Sequence, residues 1–307
     1  MTNDITTIAG ALQEVIDRLE DNLDAKGVTV SYDSSDGIVG LVDEILNINV
    51  GGNCLVTFEN QGNVFNLAKK RGSDGITVTI PNGIISLGDD CFNGIGSLNS
   101  VSIPSSVTTL GTSCFEASGL TSVSIPSSVT TLPNRCFYNC RSLSSVTLPS
   151  TISTLSNFCF YNCSNLKQYE IPSHITTLSQ YCFAYSGLQS INIPSQITTI
   201  PDYCFYGCSN LTSVNLPSTL TTLGNQCFYY CTKLTSISIP ASVTSLNMSF
   251  RSCSKLVDYQ LYWDDPPITW TNTHMPNNTN TYYTIPNGTS ANYIAKSFPS
   301  DKLIERS

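Results

Sequence analysis

Along most of this chain the apolar residues alternate between two spacings. In Leu120-Thr121-Ser122-Val123-Ser124-Ile125-Pro126 they alternate with Ser and Thr, which predicts a half-buried strand with successive side chains on opposite sides. Val129, Leu132, Cys136 and Phe137 then form a second, shorter inward row, and Tyr138-Asn139-Cys140 turns the chain toward the next Leu143. The unit recurs. Ile-Pro or Leu-Pro begins at 80, 103, 125, 148, 171, 193, 216 and 239, and again at 285 after a degenerate unit near Leu261-Tyr262. Cys-Phe begins at 91, 114, 136, 159, 182, 204 and 227, and Phe250 follows without its Cys. Both markers step by 23 residues with an occasional 22, which predicts a stack of about nine coils.

One coil cannot bury Leu, Val, Ile, Val, Leu, Cys and Phe by itself, whereas stacked coils make a continuous core from identical positions. The Pro after each strand lacks a backbone donor and marks where the strand leaves its ladder. With neighbouring strands roughly 4.8 Å apart, nine coils give a rod of about 45 Å.

The first fifty residues follow a different spacing. Ile5, Ile8, Leu12, Val15 and Leu19, widened by Ile16 and Leu23, have the spacing of an amphipathic helix that Gly27 can end. Ile38, Leu41, Val42, Ile45 and Leu46 repeat the pattern behind Ser34 and Ser35. Two helices in a hairpin are predicted. So short a hairpin buries too little to stand alone, so it either caps the coils or docks into a larger assembly, including a homo-oligomer. Gly51-Gly52 reads as a joint, and residues 51–75 as cap strands. The coils then occupy 76–261, and 262–307 holds a degenerate repeat and a C-terminal cap.

Charge sorts the chain in the same way. Residues 1–50 carry ten acids and two bases, and the rest carries twelve of each, so the net charge of −8 belongs to the leader. A nucleic-acid partner is not expected, because phosphate binding needs a clustered basic face. No apolar run is long enough to cross a bilayer, and the Met1-Thr2-Asn3-Asp4 start shows no secretory signal. A place on a virion or cell surface reached by another route is expected, with the cytoplasm as the alternative.

The pattern L-x-x-V-x-I-P-x-x-V-T-x-L-x-x-x-C-F-x-x-C resembles the BspA-type leucine-rich repeat over about residues 76 to 300. Asp265-Pro266-Pro267, Tyr283-Thr284-Ile285-Pro286 and Ala291-Asn292-Tyr293 are similar to that family's closing units. The resemblance implies a mainly β fold, a right-handed leucine-rich-repeat solenoid, here with a small N-terminal α-helical hairpin. It also implies recognition or adhesion, with a cell-surface protein or glycan as partner. Asp21 to Val28 followed by Gly40-Leu41-Val42 is similar to leaders of phage and gut-microbe structural proteins, which implies attachment to a virion or other assembly through residues 1–50. A purely structural spacer or decoration protein is the alternative.

Chemistry has few candidates. Thirteen Cys allow disulfides or a metal site, but the seven before Phe share one position, where a small buried hydrophobe is expected. His174 and His274 lie far apart, and Asp264-Asp265 falls in a Pro-rich stretch that reads as a solvated turn. No catalytic residue, metal or cofactor is expected. The candidate ligand-binding positions are those where outward residues depart from Ser and Thr: Lys167, Gln168, Glu170, Gln189, Asn192 and Asn215. To these are added Phe158, Tyr181 and Tyr203, which precede the Cys-Phe marker and predict a row of rings serving either ligand contact or packing.

Overall fold

The computed structural model describes residues 75–80, 82, 84–267 and 280–306, and the backbone of the short strands Ile48–Asn49, Leu55–Val56, Phe58–Gln61 and Val64–Leu67. The predicted helical hairpin lies outside the described residues. The chain divides into two compact units, residues 1–59 and 60–307. In the first, Ile48–Asn49 pairs antiparallel with Leu55–Val56.

The second unit is a β-solenoid of about nine turns with little helix. Most coils contribute to two parallel ladders. The first runs through Ile76–Thr79, Leu98–Ser102, Ser122–Ser124, Ser145–Thr147, Ser190–Asn192, Ser213–Asn215, Ser236–Ile239, Asp258–Leu261, Tyr282–Ile285 and Leu303–Glu305. The second includes Val64–Leu67, Ser86–Leu87, Thr109–Leu110, Thr154–Leu155, Thr177–Leu178, Thr199–Ile200 and Thr222–Leu223. Partners sit about one repeat apart, as in Val123 with Val146 or Ile200 with Leu223. The predicted alternation holds: Leu120, Val123, Ile125, Val129, Leu132, Cys136 and Phe137 are all buried, while Ser122 and Ser124 are exposed.

Between the second ladder and the next coil the chain runs through a tight turn segment that has its own bonds to the following coil. Phe158, Phe160 and Asn162 donate their N–H groups to the carbonyls of Gln180, Cys182 and Ala184, at 3.1, 2.7 and 2.8 Å. Local bonds from the Cys159 N–H to Ser156 O and from the Tyr161 N–H to Phe158 O tighten the same stretch. This geometry places two residues per coil in the left-handed region, for example Phe158 (φ 57°) with Asn162 (φ 53°) and Tyr203 (φ 59°) with Gly207 (φ 70°).

The interior is a stack of phenylalanines. Rings from Phe92 to Phe250, one per coil, follow each other with centroids 5.1–5.6 Å apart, and each is fully buried. The Cys residues pack beside them. All twelve within the described residues are free and buried. Those following the turn also donate to a backbone carbonyl of the preceding coil: Cys140 Sγ to Phe115 O at 2.9 Å, Cys163 Sγ to Phe137 O at 3.1 Å, Cys208 Sγ to Phe183 O at 3.1 Å. The second Cys is therefore more than a space-filler, since its thiol adds a second donor to a buried carbonyl that already accepts a backbone N–H.

Burial disfavours the thiolate. It pushes Cys140 up to about 11 and Cys208 up to about 12, and holds Cys136, Cys159 and Cys204 well above the ordinary thiol range. Free thiols in the unfolded chain ionise near 9, so folding keeps protons that the unfolded chain releases. The stability these thiols contribute is intact below about pH 9 and is lost as pH rises toward 11 to 12. With Cys54 replaced by Ala, alkylation at pH 8 should leave the folded chain unmodified and label it fully in denaturant. Labelling within minutes without denaturant would contradict the buried ladder.

The two 22-residue steps between Ile-Pro and Leu-Pro positions 103 and 239 contain Gly119 and Gly187. Each replaces the longer Cys-x-x-Leu or Ile-x-x-Leu connection of its neighbours with Ser-Gly-Leu. The missing residue brings the glycine against the preceding coil: Gly119 donates to Ile95 O and Gly187 to Cys163 O, both at 3.0 Å. A Cβ there would lie 2.0 Å from Gly96 O or Ser164 O.

At the C-terminal end the coil cross-section changes. Tyr259, Tyr283, Tyr293 and Phe298 form an aromatic cluster, and the Ser290–Ala295 helix packs onto it through Tyr293. Trp263 Nε1 donates to Val243 O and Tyr293 Oη to Trp263 O, both at 2.8 Å.

Candidate functional site

The nine sequence-predicted residues fall into two groups carried by different segments of the coil. Phe158, Tyr181 and Tyr203 belong to the turn segment and stack on one another, with centroids 4.8 and 4.6 Å apart and planes within 6°. All three hold positive φ, at 57°, 56° and 59°. Left-handed backbone costs a non-glycine residue roughly 1–2 kcal/mol, and a stacked aromatic pair returns only about 0.5–1.5 kcal/mol beyond its area. The two terms roughly offset, so packing gives no clear preference for rings over Asp90, Ser113, Arg135 or Gln226, which hold the same position with the same backbone elsewhere.

A second row lies beside them that the marker analysis missed. Tyr138 stacks on Tyr161 at 4.7 Å and Tyr206 on Tyr229 at 5.0 Å. Tyr185 bridges them, edge-on to Tyr161 and to Tyr206, both at 5.4 Å. Phe158 and Tyr203 lean on Tyr161 and Tyr206 across the rows, joining everything into one aromatic patch that reaches Tyr230. The sequence signal was available as the triplet Cys-Phe-Tyr at 136, 159, 204 and 227.

Stacking also decides what the patch offers. Within each row the ring faces are spent on neighbouring rings, so a partner meets ring edges and phenol hydroxyls at the coil spacing. Burial among the other rings, reinforced by neighbouring phenols, raises Tyr161, Tyr181 and Tyr206 above the ordinary phenol range. Charge is sparse here: Arg135 lies over the Tyr138 ring at 4.2 Å and pairs with Glu116 at 3.1 Å.

Lys167, Gln168, Glu170, Gln189, Asn192 and Asn215 are exposed on or beside the first ladder. Asn215 Nδ2 donates to Asn192 Oδ1 at 2.7 Å. Gln168, Glu170 and Asn192, with Tyr169 and Ser190, line a depression of about 320 Å³. Lys167, Gln189 and Asn215 are outside that lining. Two further depressions lie along this side of the stack, one lined by Ser and Thr around Ser100 and Ser124, the other by Leu216, Pro240, Ala241 and Tyr262.

Candidates for chemistry are not assembled. His174 is half-buried, its Nε2 without a hydrogen-bond partner, and His274 lies outside the described residues. Asp264 and Asp265 are exposed in a bend after Trp263. Among the described residues no three His, Cys, Asp or Glu side chains group as metal ligands would, and no helix is long and apolar enough to cross a membrane.

A family model described as BspA type leucine rich repeat region matches residues 72–189 and 176–263, in six copies. No curated protein matches the sequence. Among solved structures, a leucine-rich repeat protein of T. pallidum is 24% identical, covering 58% of this chain and 86% of its own, with a TM-score of 0.50. A leucine rich cell surface protein of Faecalibacterium prausnitzii is 18% identical over 78% of this chain and 95% of its own, with a TM-score of 0.35. A leucine-rich repeat protein of Bacteroides ovatus is 17% identical over 82% and 98%, with a TM-score of 0.31. The first of these shares the fold of the coils.

Proposed function

Because this chain belongs to the BspA-type leucine-rich repeat family, we propose that it is a non-enzymatic recognition module that binds a cell-surface protein or glycan through the outer side of its coils. The observation that carries this reading is the aromatic patch. Rings are placed where the backbone disfavours them and where stacking only offsets that cost, yet they are held in register and partly open to solvent. Patches rich in Tyr are favoured contact surfaces because a rigid, amphipathic ring loses little entropy on binding. The acidic residues 1–50 attach the coils to a virion or another assembly, so that recognition and attachment reside in different parts of the chain.

The test is saturable binding of the labelled intact chain to whole cells and to arrayed glycans, repeated after deletion of residues 1–50. Binding should survive the deletion while incorporation into the assembly is lost. An intact chain that binds neither cells nor glycans ends the recognition reading and leaves the spacer.

A further inference from the structure

Along the first ladder strand pairing lapses between Leu98–Ser102 and Ser122–Ser124, between Ser145–Thr147 and Ser190–Asn192, and between Ser213–Asn215 and Ser236–Ile239, and of these gaps the second spans a coil that contributes no strand. Regular pairing stops at Thr147 and restarts at Ser190, and the coil between supplies a single bridge, Gln168 to Ser190. The inward position of this strand is Val or Ile in most coils, as at Val123, Ile191 and Ile237, but here it is Tyr169. The size of a phenol alone does not unpair the strand, since Tyr259 and Tyr283 fill the same slot in paired strands. The Tyr169 ring tilts against Phe160 and Phe183 at 5.4 and 5.6 Å, and its hydroxyl is buried without a hydrogen-bond partner.

This coil borders a depression whose lining includes the half-buried Tyr169. Its lining combines one half-buried ring with two primary amides, a carboxylate and a hydroxyl. The bond from Asn215 fixes Asn192 with its Oδ1 engaged, which leaves its Nδ2 hydrogens as donors. Gln168 and Glu170 make no side-chain bond to any described residue. The other two depressions on this side lack this mixture, one offering only hydroxyls among its polar side chains and the other mainly apolar surface.

We propose that this depression is a subsite for a neutral hexopyranose ring of a glycan. The proposal rests on the recognition reading and names the ligand and the place. An apolar C–H edge of the sugar meets the part of the half-buried Tyr169 that the depression reaches, Glu170 accepts from two neighbouring hydroxyls, and the Gln168 and Asn192 amides donate to and accept from the others. A volume of about 320 Å³ suits one ring with the chain extending along the ladder. Glu170 disfavours uronic and sialic acids, because none of the residues lining the depression is a cation that would offset a second carboxylate. The stacked aromatic patch does not suit this ligand, since within its rows the ring faces are already occupied.

Saturation-transfer NMR and titration of the intact chain with methyl glycosides of glucose, galactose, mannose and N-acetylglucosamine test the subsite. At least one glycoside should bind with Kd of about 1 mM, as expected for a small solvent-exposed ligand. Glu170→Gln and Asn192→Ala should each weaken it about tenfold or more with unchanged circular dichroism, and methyl glucuronide should not bind. Tyr169→Val, which restores the ladder residue, should abolish binding while keeping or raising thermal stability. No binding of any of the four at 50 mM, or binding indifferent to Glu170→Gln and Asn192→Ala, overturns the subsite. Cell binding by the intact chain separates the two ideas: a chain that binds cells but none of the glycosides removes the sugar subsite and leaves recognition standing.

Discussion

Replacing Phe160 with alanine should cost about 3–5 kcal/mol of folding stability, read as a lower denaturant midpoint. Phe160 is fully buried between Phe137 and Phe183, with centroids 5.5 and 5.3 Å away, and also meets Tyr169. Each neighbouring ring is pinned by the hydrogen bonds of its own turn segment, so none can move in to fill the space. A cavity in the middle of a one-dimensional stack also weakens two coil interfaces at once. A loss below about 1 kcal/mol would contradict the ladder.

Gly187→Ala should be about as damaging as many core truncations, at roughly 3 kcal/mol, although it adds a single methyl. The new Cβ would lie 2.0 Å from the carbonyl oxygen of Ser164 and 2.7 Å from its carbon. Both are backbone atoms, and the Gly187 N–H is tied to Cys163 O, so relief requires the two coils to separate. Gly96 gives the control. A Cβ there meets nothing within 4 Å, so Gly96→Ala should be neutral or stabilise by about 0.4–1 kcal/mol through the unfolded chain. Equal effects at the two glycines would show that chain entropy, not close approach, is what they supply.

These two variants mark what could be read in the sequence and what could not. The step of the Ile-Pro and Cys-Phe markers located the coils and which residues face inward, because burial against identical neighbours leaves a direct periodic trace. Phe160 follows from that trace. Gly187 does not follow from burial; it follows from the one-residue deletion in Tyr185-Ser186-Gly187-Leu188, whose meaning depends on how closely the preceding coil approaches. The left-handed backbone at Phe158, Tyr181 and Tyr203 left no trace either, since Phe, Tyr, Arg, Ser and Gln all occupy that position and none signals positive φ. For the same reason the row of rings was legible but its edge-on presentation was not: ring orientation is set by the neighbouring coil. Tyr169 was overlooked because it occupies an inward slot, where size matters more than polarity. The predicted helical hairpin falls on residues outside those described.

Under the proposed function, recognition lies on the outer side of the coils, with the aromatic row as its most specific element. Asn is the informative replacement, because among non-glycine residues it tolerates the left-handed region well. A chain carrying Phe158→Asn, Tyr181→Asn and Tyr203→Asn should therefore keep its thermal unfolding transition within a few degrees while losing the rings. The measurement is competition: labelled intact chain bound to cells, challenged with unlabelled intact chain or with the triple variant. The account predicts that the intact chain displaces the label and the variant needs at least about tenfold more, the loss expected from removing central aromatic contacts worth 1 kcal/mol or more each. Displacement by the variant at the same concentration as the intact chain would contradict it.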